Sequence, residues 1–444
     1  MNIGSEMQEI SSNNKRIAKN TLLLYFRMLV TMAVSLYTSR VVLNILGVED
    51  FGIYNVVGGI VAMFGFINGS MTSATQRYLT FELGQNNRAQ LTKVFSTSLS
   101  IHGIISFLII VLAETVGLWF LWNKMQIPAD RMNAAFWVFQ CSVAASVIMI
   151  MSVPYNAAII AHERMSAFAY ISIIEVSLKL LIVCFLRYFH TDKLILYAVL
   201  IVIVQFLIRL CYSWYCNRHF NETKYRWSWD KGLFKEMTGF ASWNMFGSLA
   251  AITFTQGLNL LLNMFFGPVV NAARGIAVQA QTAIGQFSSN FQTALNPQIT
   301  KSYATGDMEY MHGLIFRSAK FSFFLLLLLS LPVLIETKAI LTLWLKIVPD
   351  HTVVFLRIML CTTWVYAVSN PLITAASATG KIKLYQSVVG GLLLLILPIS
   401  YLCLRFGLPA YSVFIVHLVI EITAQFARLL MLKRMIKLSL REYF

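Results

Sequence analysis

Charged residues are scarce in this chain: they make up 12% of its 444 residues, whereas soluble globular domains contain about 25%. Hydrophobic residues make up 58% of the chain, and the mean hydropathy is +0.68. The apolar residues come in runs of about 20 or more, each long enough to cross a hydrocarbon core about 30 Å thick. A soluble core is therefore excluded, and we expect a polytopic membrane protein.

The motifs that would indicate an enzyme or an ATP-driven pump are missing. There is no GxxxxGK[ST] motif, so the sequence offers no P-loop for ATP phosphates. HExxH and GxSxG motifs are also missing, as is a cluster of His and Cys. The six cysteines have neither CxxC nor metal-ligand spacing, and we expect them to be packing or lipid-facing residues. We therefore expect a protein that is not an enzyme and that uses no cofactor and no metal.

Acidic residues are few as well: 19 Asp and Glu stand against 35 Lys and Arg, which gives a net charge of +16. Loops on the side of the N-terminus hold 18 of these bases, and the opposite loops hold seven. Because Lys and Arg are concentrated in cytoplasmic loops, we expect both termini in the cytoplasm. The charge then reflects membrane topology and not nucleic-acid binding. The first apolar run has no signal-peptide cleavage site, so we expect it to remain in the membrane.

The pattern of apolar runs predicts an all-α fold with about 12 transmembrane helices in two six-helix bundles, residues 1–220 and 221–444. Gly47 ends one apolar run and precedes a helix rich in small residues, and Gly267 occupies the same place in the second half. Such repetition is typical of transporters built from two repeats. The alternative is that any two membrane hairpins look alike. The predicted spans are 18–44, 52–80, 93–121, 132–160, 165–189, 194–216, 238–265, 270–299, 314–335, 352–378, 382–405 and 409–432.

Charged side chains within these spans are the informative ones, because each is costly in the membrane and usually faces a cavity or a partner. Ten of them are basic and three are acidic. Arg27 and Arg77 lie toward the cytoplasmic side, and Arg274 and Arg357 lie toward the outer ends of their spans. Guanidinium groups bind phosphate through two parallel hydrogen bonds, so we predict that these arginines bind an anionic, phosphate-bearing substrate. The alternative is that each reaches the headgroups or pairs with a carbonyl.

The three acids are candidates for coupling transport to an ion. Glu175 and Lys179 are four residues apart, so they either neutralise each other on one helix face or form an ion relay. Glu114 and Glu421 are the other two candidates. Arg428 is expected at the membrane edge. Asn and Gln side chains on the second, seventh and eighth spans either bind sugar hydroxyls or join neighbouring helices by hydrogen bonds.

Four short segments resemble one known family. They are Lys19-Asn20-Thr21, Ser39-Arg40, Leu46-Gly47-Val48-Glu49-Asp50-Phe51-Gly52-Ile53-Tyr54 and Thr75-Gln76-Arg77-Tyr78. The chain resembles bacterial polysaccharide-export flippases, the O-antigen flippases of the Wzx type, in the multidrug/oligosaccharidyl-lipid/polysaccharide exporter superfamily. The family pattern is matched by Arg40, Gly47, Gly52 and Arg77, although the spacing between Arg40 and Gly47 is one or two residues longer than in the pattern. The resemblance adds Arg40 to the predicted substrate-binding residues.

This resemblance implies two six-helix bundles around a V-shaped, cationic cavity that opens alternately to either side of the bacterial inner membrane. The implied substrate is a lipid-linked oligosaccharide, a polyprenyl-pyrophosphate-linked repeat unit such as that of the lipopolysaccharide O-antigen. Membrane lipids, a coupling ion (Na⁺ or H⁺), a polysaccharide polymerase and glycosyltransferases are the other expected partners. One alternative is a cation-coupled multidrug exporter of the same superfamily, which the excess of basic residues disfavours. The other is a membrane enzyme of polysaccharide assembly, which the lack of a large outer loop disfavours.

Overall fold

The chain folds into helices joined by short turns. The computed structural model describes residues 3–62, 65–123, 125, 127–189, 191–224, 230–345 and 348–443. Every regular element in these ranges is helical and none is a strand, so the predicted all-α fold is confirmed. The helices group into two compact units, Met1–Thr238 and Gly239–Phe444.

The first unit contains seven α-helices and the start of an eighth. They are α1 (Ile3–Ala62), α2 (Gly65–Gly84), α3 (Arg88–Leu112), α4 (Leu118–Asn123), α5 (Met132–Ala161), α6 (Met165–Leu186), α7 (Lys193–His219) and α8 (Lys231–Phe266). A π-helical turn, Ala113–Gly117, joins α3 to α4, and two short 3₁₀ turns precede α5 and follow α7. Within this unit α5 packs against α7, α2 and α3, and α1 packs against α6.

The second unit contains the rest of α8 and the remaining helices. They are α9 (Pro268–Thr305), α10 (Met308–Ile335), α11 (Thr337–Leu345), α12 (Thr352–Ala378), α13 (Lys383–Leu394), α14 (Ile396–Arg405), α15 (Ser412–Met435) and α16 (Leu440–Tyr443). Here α12 is the central helix, because it packs against α9, α10 and α15. The buried apolar core of the unit includes Phe355, Leu356, Leu360 and Phe414.

Ten helices in the described ranges are long and apolar enough to cross a membrane. They coincide with ten of the twelve predicted spans. The other two predicted spans, 52–80 and 270–299, occupy equivalent places in the two halves and are helical in their described residues. Both are rich in Gly, Ser, Thr, Asn and Gln, which lowers their hydropathy. The two spans thus share their place in each half and a composition rich in small and polar residues.

Large apolar side chains lie on the outside of the protein. Leu328, Phe321 and Leu343 are 72%, 62% and 87% exposed, and many other large hydrophobic residues are similarly exposed. A water-soluble protein rarely shows so much contiguous apolar surface, whereas lipid tails cover it at no cost. The chain is therefore a multi-pass membrane protein.

Two glycines occupy the same unusual backbone conformation in the two units. Gly47 has φ 81° and ψ 171°, and Gly267 has φ 78° and ψ −172°. This region of φ and ψ is accessible almost only to glycine. Gly47 interrupts α1, and Gly267 separates α8 from α9. We propose that the two units are the repeats expected from the sequence, although the boundary between them lies near residue 238 and not at 220.

Ion pairs connect helix ends at the predicted non-cytoplasmic side of the first unit. Arg131 donates from Nη2 to Asp50 Oδ2 (2.5 Å) and from Nη1 to Asp192 Oδ2 (2.7 Å). Asp192 also caps α7, since it accepts from the backbone N–H groups of Leu194 and Ile195. Partial burial raises the pKa of Asp192, but the hydrogen bonds from Arg131 and the backbone outweigh it, and the pKa is lowered. Asp50, within the family-like segment, thus connects α1 to α5 and α7.

A second set of polar contacts between helices lies at the predicted cytoplasmic side of the first unit. His162 Nε2 lies 2.5 Å from Glu222 Oε1, and its ring stacks on Phe220 with centroids 4.0 Å apart. Glu163 is buried and pairs with Arg16 at 2.8 Å. Burial raises the pKa of Glu222, but the hydrogen bond to His162 outweighs it and the pKa is lowered. These contacts join the turn between α5 and α6 to α1 and to the end of α7.

Candidate functional site

A cavity of about 380 Å³ lies inside the second unit. This volume falls in the range of about 300–1,000 Å³ that is usual for small-molecule sites. Helices α9, α12 and α15 supply most of its wall, α8 adds Ala251 and Phe254, and α10 and α13 add one leucine each. Much of the lining is apolar or small, and a few amide, hydroxyl and charged side chains face the same space. A cavity that gathers charged and amide side chains among the helices of so apolar a chain is a binding-site candidate.

Helical spacing explains how α15 contributes to this cavity. His417, Glu421 and Arg428 are separated by four and seven residues, so they lie on one face of the helix. All three line the cavity. The opposite face of α15 carries large apolar residues such as Phe426 and Leu430, which are 55% and 60% exposed. The helix is therefore polar toward the interior of the unit and apolar outward.

A buried ion pair forms part of the cavity wall. Arg428 Nη1 donates to Glu421 Oε1 at 2.7 Å, and the two side chains are only 3% and 6% exposed. Arg428 also donates from Nη1 to Ser369 Oγ (3.0 Å) and from Nε to the Tyr385 hydroxyl (3.2 Å). Because α12 and α13 supply these extra acceptors, the guanidinium group is held in one orientation. Such additional hydrogen bonds are what make a buried ion pair tolerable.

The hydrogen-bond network continues from the ion pair to the end of the chain. Ser369 donates to Gln425 Oε1 at 2.6 Å, and Gln425 Nε2 donates to the Tyr443 hydroxyl at 3.1 Å. Tyr443 in turn donates to the carbonyl of Val368 at 3.1 Å. Tyr443 belongs to α16, which is predicted to lie in the cytoplasm. The network thus joins three transmembrane helices and the C-terminal segment.

Two predicted substrate-binding arginines are half-buried, and in each the buried Nε atom is unsatisfied. Arg27 on α1 lies over the ring of Phe168, with Cζ 4.5 Å from the ring centroid. Arg274 on α9 donates from Nη2 to the carbonyl of Thr255 at 2.7 Å. In both arginines Nε is buried and has no hydrogen-bond partner among the described residues. A buried, unpaired N–H group is costly and is a natural place for a ligand oxygen.

The other predicted arginines have different surroundings. Arg77 is 8% exposed, and its Cζ lies 4.6 Å from the ring centroid of Tyr78 and 4.8 Å from that of Phe81. Tyr78 donates to Glu236 Oε1 at 3.1 Å, so an aromatic and acidic cluster surrounds Arg77. Arg357 is exposed and donates to Thr337 Oγ1 at 3.0 Å. The side chain of Arg40 lies outside the part of the chain that the structure describes.

The remaining acidic candidates have partners within the first unit. Lys179 Nζ lies 2.6 Å from Glu175 Oε1, so the expected pairing on one helix face is present. Gln205 also donates to Glu175, at 3.1 Å, and Arg27 lies within electrostatic reach of the same carboxylate. Glu114 is exposed and accepts a hydrogen bond from Gln140 at 3.2 Å. Among the three acids, only Glu421 lines the cavity of the second unit.

The prediction that the Arg428 side chain lies at the membrane edge is wrong. The sequence places it near the predicted cytoplasmic end of its span, where long basic side chains usually reach the headgroups. In the structure it is buried and paired with Glu421. The spacing of seven residues between an intramembrane acid and a base could have indicated this, since it places both on one helix face. Its other partners, Ser369 and Tyr385, come from distant helices and leave no local signal.

No group of three or more metal-ligating side chains occurs within the described ranges. Among the curated proteins, none matches the chain.

Solved structures do match it over almost its whole length. An outward-facing multidrug resistance MATE family transporter of the MOP superfamily aligns with a TM-score of 0.83 at 12% identity, covering 96% of each chain. A MATE protein in its bent conformation aligns with a TM-score of 0.84 at 12% identity, with the same coverage.

A third match is a MOP superfamily transporter from Pyrococcus furiosus, described by a reverse polarity of its binding pocket that suggests a different function. It aligns with a TM-score of 0.81 at 13% identity and 96% coverage of each chain. At this identity the likeness establishes the fold. The chain therefore has the fold of these transporters.

The family model described as polysaccharide biosynthesis protein matches residues 17–303. The match covers more than half of the chain and includes all the family-like segments. The chain therefore belongs to the polysaccharide biosynthesis protein family. The resemblance to Wzx-type flippases that the sequence indicates is confirmed.

Proposed function

We propose that the protein is a flippase, not an enzyme, that moves lipid-linked oligosaccharides across the bacterial inner membrane by alternating access. The cargo is a polyprenyl-pyrophosphate-linked repeat unit, of which the O-antigen unit of lipopolysaccharide is one example. A polar headgroup of this kind crosses hydrocarbon only along a hydrated path that compensates its charge. The family and the fold support a transporter, and the excess of intramembrane bases supports an anionic cargo.

The observation that carries this proposal is the unsatisfied Nε of Arg27 and of Arg274. Arg27 in the first unit lies over a ring and Arg274 in the second unit donates to a carbonyl, while Nε of each lacks a partner among the described residues. A phosphate oxygen would complete both groups, because guanidinium binds phosphate with strong, charge-assisted hydrogen bonds. Arg40, Arg77 and Arg357 remain proposed contributors at the positions described above.

The same positions allow a proposal for energy coupling. The sequence contains no ATP-binding motif, so a gradient of H⁺ or Na⁺ is proposed to drive transport. Glu421 is the best-placed acid, because it lines the cavity and its protonation would release Arg428. Glu175 is neutralised by Lys179, and Glu114 is exposed, so we assign them lesser roles. Both termini are proposed to be cytoplasmic. Glycosyltransferases of the pathway are proposed to supply the cargo on the cytoplasmic side, and a polymerase is proposed to consume it on the other side.

Substitution of Arg27 or Arg274 tests the proposal. A hydrogen bond to a charged group contributes about 1.5–3 kcal/mol, so Arg27→Ala and Arg274→Ala should each reduce surface polysaccharide about tenfold or more. The measurement is surface polysaccharide in a strain that lacks its own flippase, with the amount of protein in the membrane determined in parallel. Arg317→Ala is the matched control, because Arg317 is exposed on α10. Normal polysaccharide in both variants would contradict the proposed phosphate contacts.

The runner-up function is a cation-coupled multidrug exporter. A cavity-lining carboxylate, Glu421, is the feature that favours it, since cationic drugs bind to acidic residues. The pairing with Arg428 at 2.7 Å disfavours it, because the base already neutralises that carboxylate. Resistance to cationic dyes on overexpression, without any change in polysaccharide, would support the exporter.

A further inference from the structure

We infer that the cavity in the second unit binds an uncharged sugar ring of the transported headgroup. This inference rests on the proposed function and adds to it a site separate from the arginines proposed to bind phosphate. The cavity of about 380 Å³ is large enough for a small ligand and too small for an entire oligosaccharide with its lipid. It would therefore take one part of the headgroup.

The charges in the cavity wall favour a neutral ligand. Glu421 and Arg428 are the charged residues of the lining, and they are paired with each other at 2.7 Å. An anion placed here would meet the Glu421 carboxylate, and a cation would meet the Arg428 guanidinium. The two charges sum to about zero, so a ligand without net charge loses the least electrostatic free energy when it enters the cavity. The pair still offers a strong donor and a strong acceptor for hydroxyl groups.

Further donors and acceptors in the cavity suit a polyhydroxylated ligand. The amide of Asn370 and Nη2 of Arg428 make no hydrogen bond within the described part of the chain. Gln281 Nε2 donates to the carbonyl of Met359 (3.1 Å) and to Thr363 Oγ1 (2.8 Å), which fixes the amide and leaves its oxygen as an acceptor. Sugar hydroxyls both donate and accept, so they can satisfy such a mixed set.

Aromatic rings complete the resemblance to a sugar site. Tyr366 lines the cavity and is 51% exposed, and Phe254 lies against His417 with ring centroids 4.8 Å apart. The face of a sugar ring is apolar while its rim is polar, so it fits between an aromatic surface and a set of amides. An aliphatic ligand would leave these amides unsatisfied, and an ion would leave the aromatic surface unused.

The test is sugar binding by the purified full-length protein in detergent micelles, measured by saturation-transfer NMR. The probes are methyl α-glucoside and N-acetylglucosamine, with glucuronate and glucose 1-phosphate as charged counterparts. We expect the neutral sugars to bind better than the charged ones. Asn370→Leu and Gln281→Leu should each weaken neutral sugar binding about threefold to tenfold, since each removes one neutral hydrogen-bonding group.

Asn263→Leu is the matched control, because Asn263 is an exposed amide near the end of α8 and does not line the cavity. If Asn370→Leu does not give a monodisperse protein, Asn370→Ser serves in its place. Absence of neutral sugar binding by the unaltered protein would overturn the inference, and so would tighter binding of the charged sugars. Equal binding by the Asn263 and Asn370 variants would also overturn it.

The two levels of the proposal can fail separately. Translocation of a lipid-linked oligosaccharide by reconstituted protein, without neutral sugar binding and without an effect of Asn370→Leu, would contradict only the sugar site. Sugar binding without translocation would contradict the flippase function and leave the sugar site supported. Binding and translocation that both fall in Asn370→Leu, but not in Asn263→Leu, would support both.

Discussion

Among the individual residues, the Glu421–Arg428 pair shows how this protein keeps charge inside a membrane. Removing two ions from water is expensive, and the cost is offset only if their attraction is joined by further hydrogen bonds. Ser369 and Tyr385 supply those bonds at 3.0 and 3.2 Å. The same arrangement makes the pair responsive, because loss of the charge on Glu421 leaves a buried cation without its partner.

Substitution of Glu421 alone should be more harmful than substitution of both partners. Removing one member of a buried ion pair costs about 3–5 kcal/mol, whereas replacing both with apolar residues is often nearly neutral. We therefore expect Glu421→Ala to lower the thermal unfolding temperature of the detergent-solubilised protein, and Glu421→Ala with Arg428→Met to restore most of it. A single variant as stable as the unaltered protein would show that Arg428 does not depend on Glu421.

The sequence identifies one charged residue of the site, Glu421, but not the side chains that surround it. Glu421 stands out as one of three intramembrane acids, and helical periodicity places Arg428 on its face. Tyr385 lies 43 residues before Arg428, and Ser369 lies 59 residues before it. Both are on other helices. Only the packing of α12, α13 and α15 brings these side chains together. Helix adjacency is a tertiary property that hydropathy does not encode.

Among the helices, the glycines Gly47 and Gly267 determine where long helical segments bend. Both have positive φ with ψ near 180°, and neither would bring a Cβ atom within 4 Å of a neighbour. The requirement for glycine is therefore conformational and not one of space. The sequence predicts the position of each break, because an apolar run ends at a glycine in both halves, but not the shared backbone geometry.

Alanine at Gly47 should destabilise the first unit. Backbone strain in this region of φ and ψ costs about 1–3 kcal/mol for a residue with a side chain, so Gly47→Ala should lower the thermal unfolding temperature. Gly69→Ala is the matched control, because Gly69 is helical in α2 and has open space at its Cβ position. There alanine should be neutral or stabilising by about 0.5–1 kcal/mol. Equal effects of the two substitutions would contradict a conformational role for Gly47.

Across the protein as a whole, hydropathy and charge predict the all-α membrane fold from sequence, because both follow from how each segment partitions between water and lipid. The spans 52–80 and 270–299 are rich in polar and small residues, as expected for helices that face other protein or water and not lipid. The cavity could not be predicted in this way, since its residues come from α8, α9, α10, α12, α13 and α15. Its location depends on how those helices pack.

The flippase function is tested most directly by reconstitution. Vesicles are prepared with a pyrophosphate-linked oligosaccharide that carries a fluorescent sugar in both leaflets, and a membrane-impermeant quencher is added outside. With the protein and an H⁺ or Na⁺ gradient, we expect quenching to proceed beyond the outer leaflet until nearly all of the label is lost, and to slow about tenfold in Arg27→Ala. Quenching that stops at the outer leaflet, as in protein-free vesicles, would contradict the proposed function.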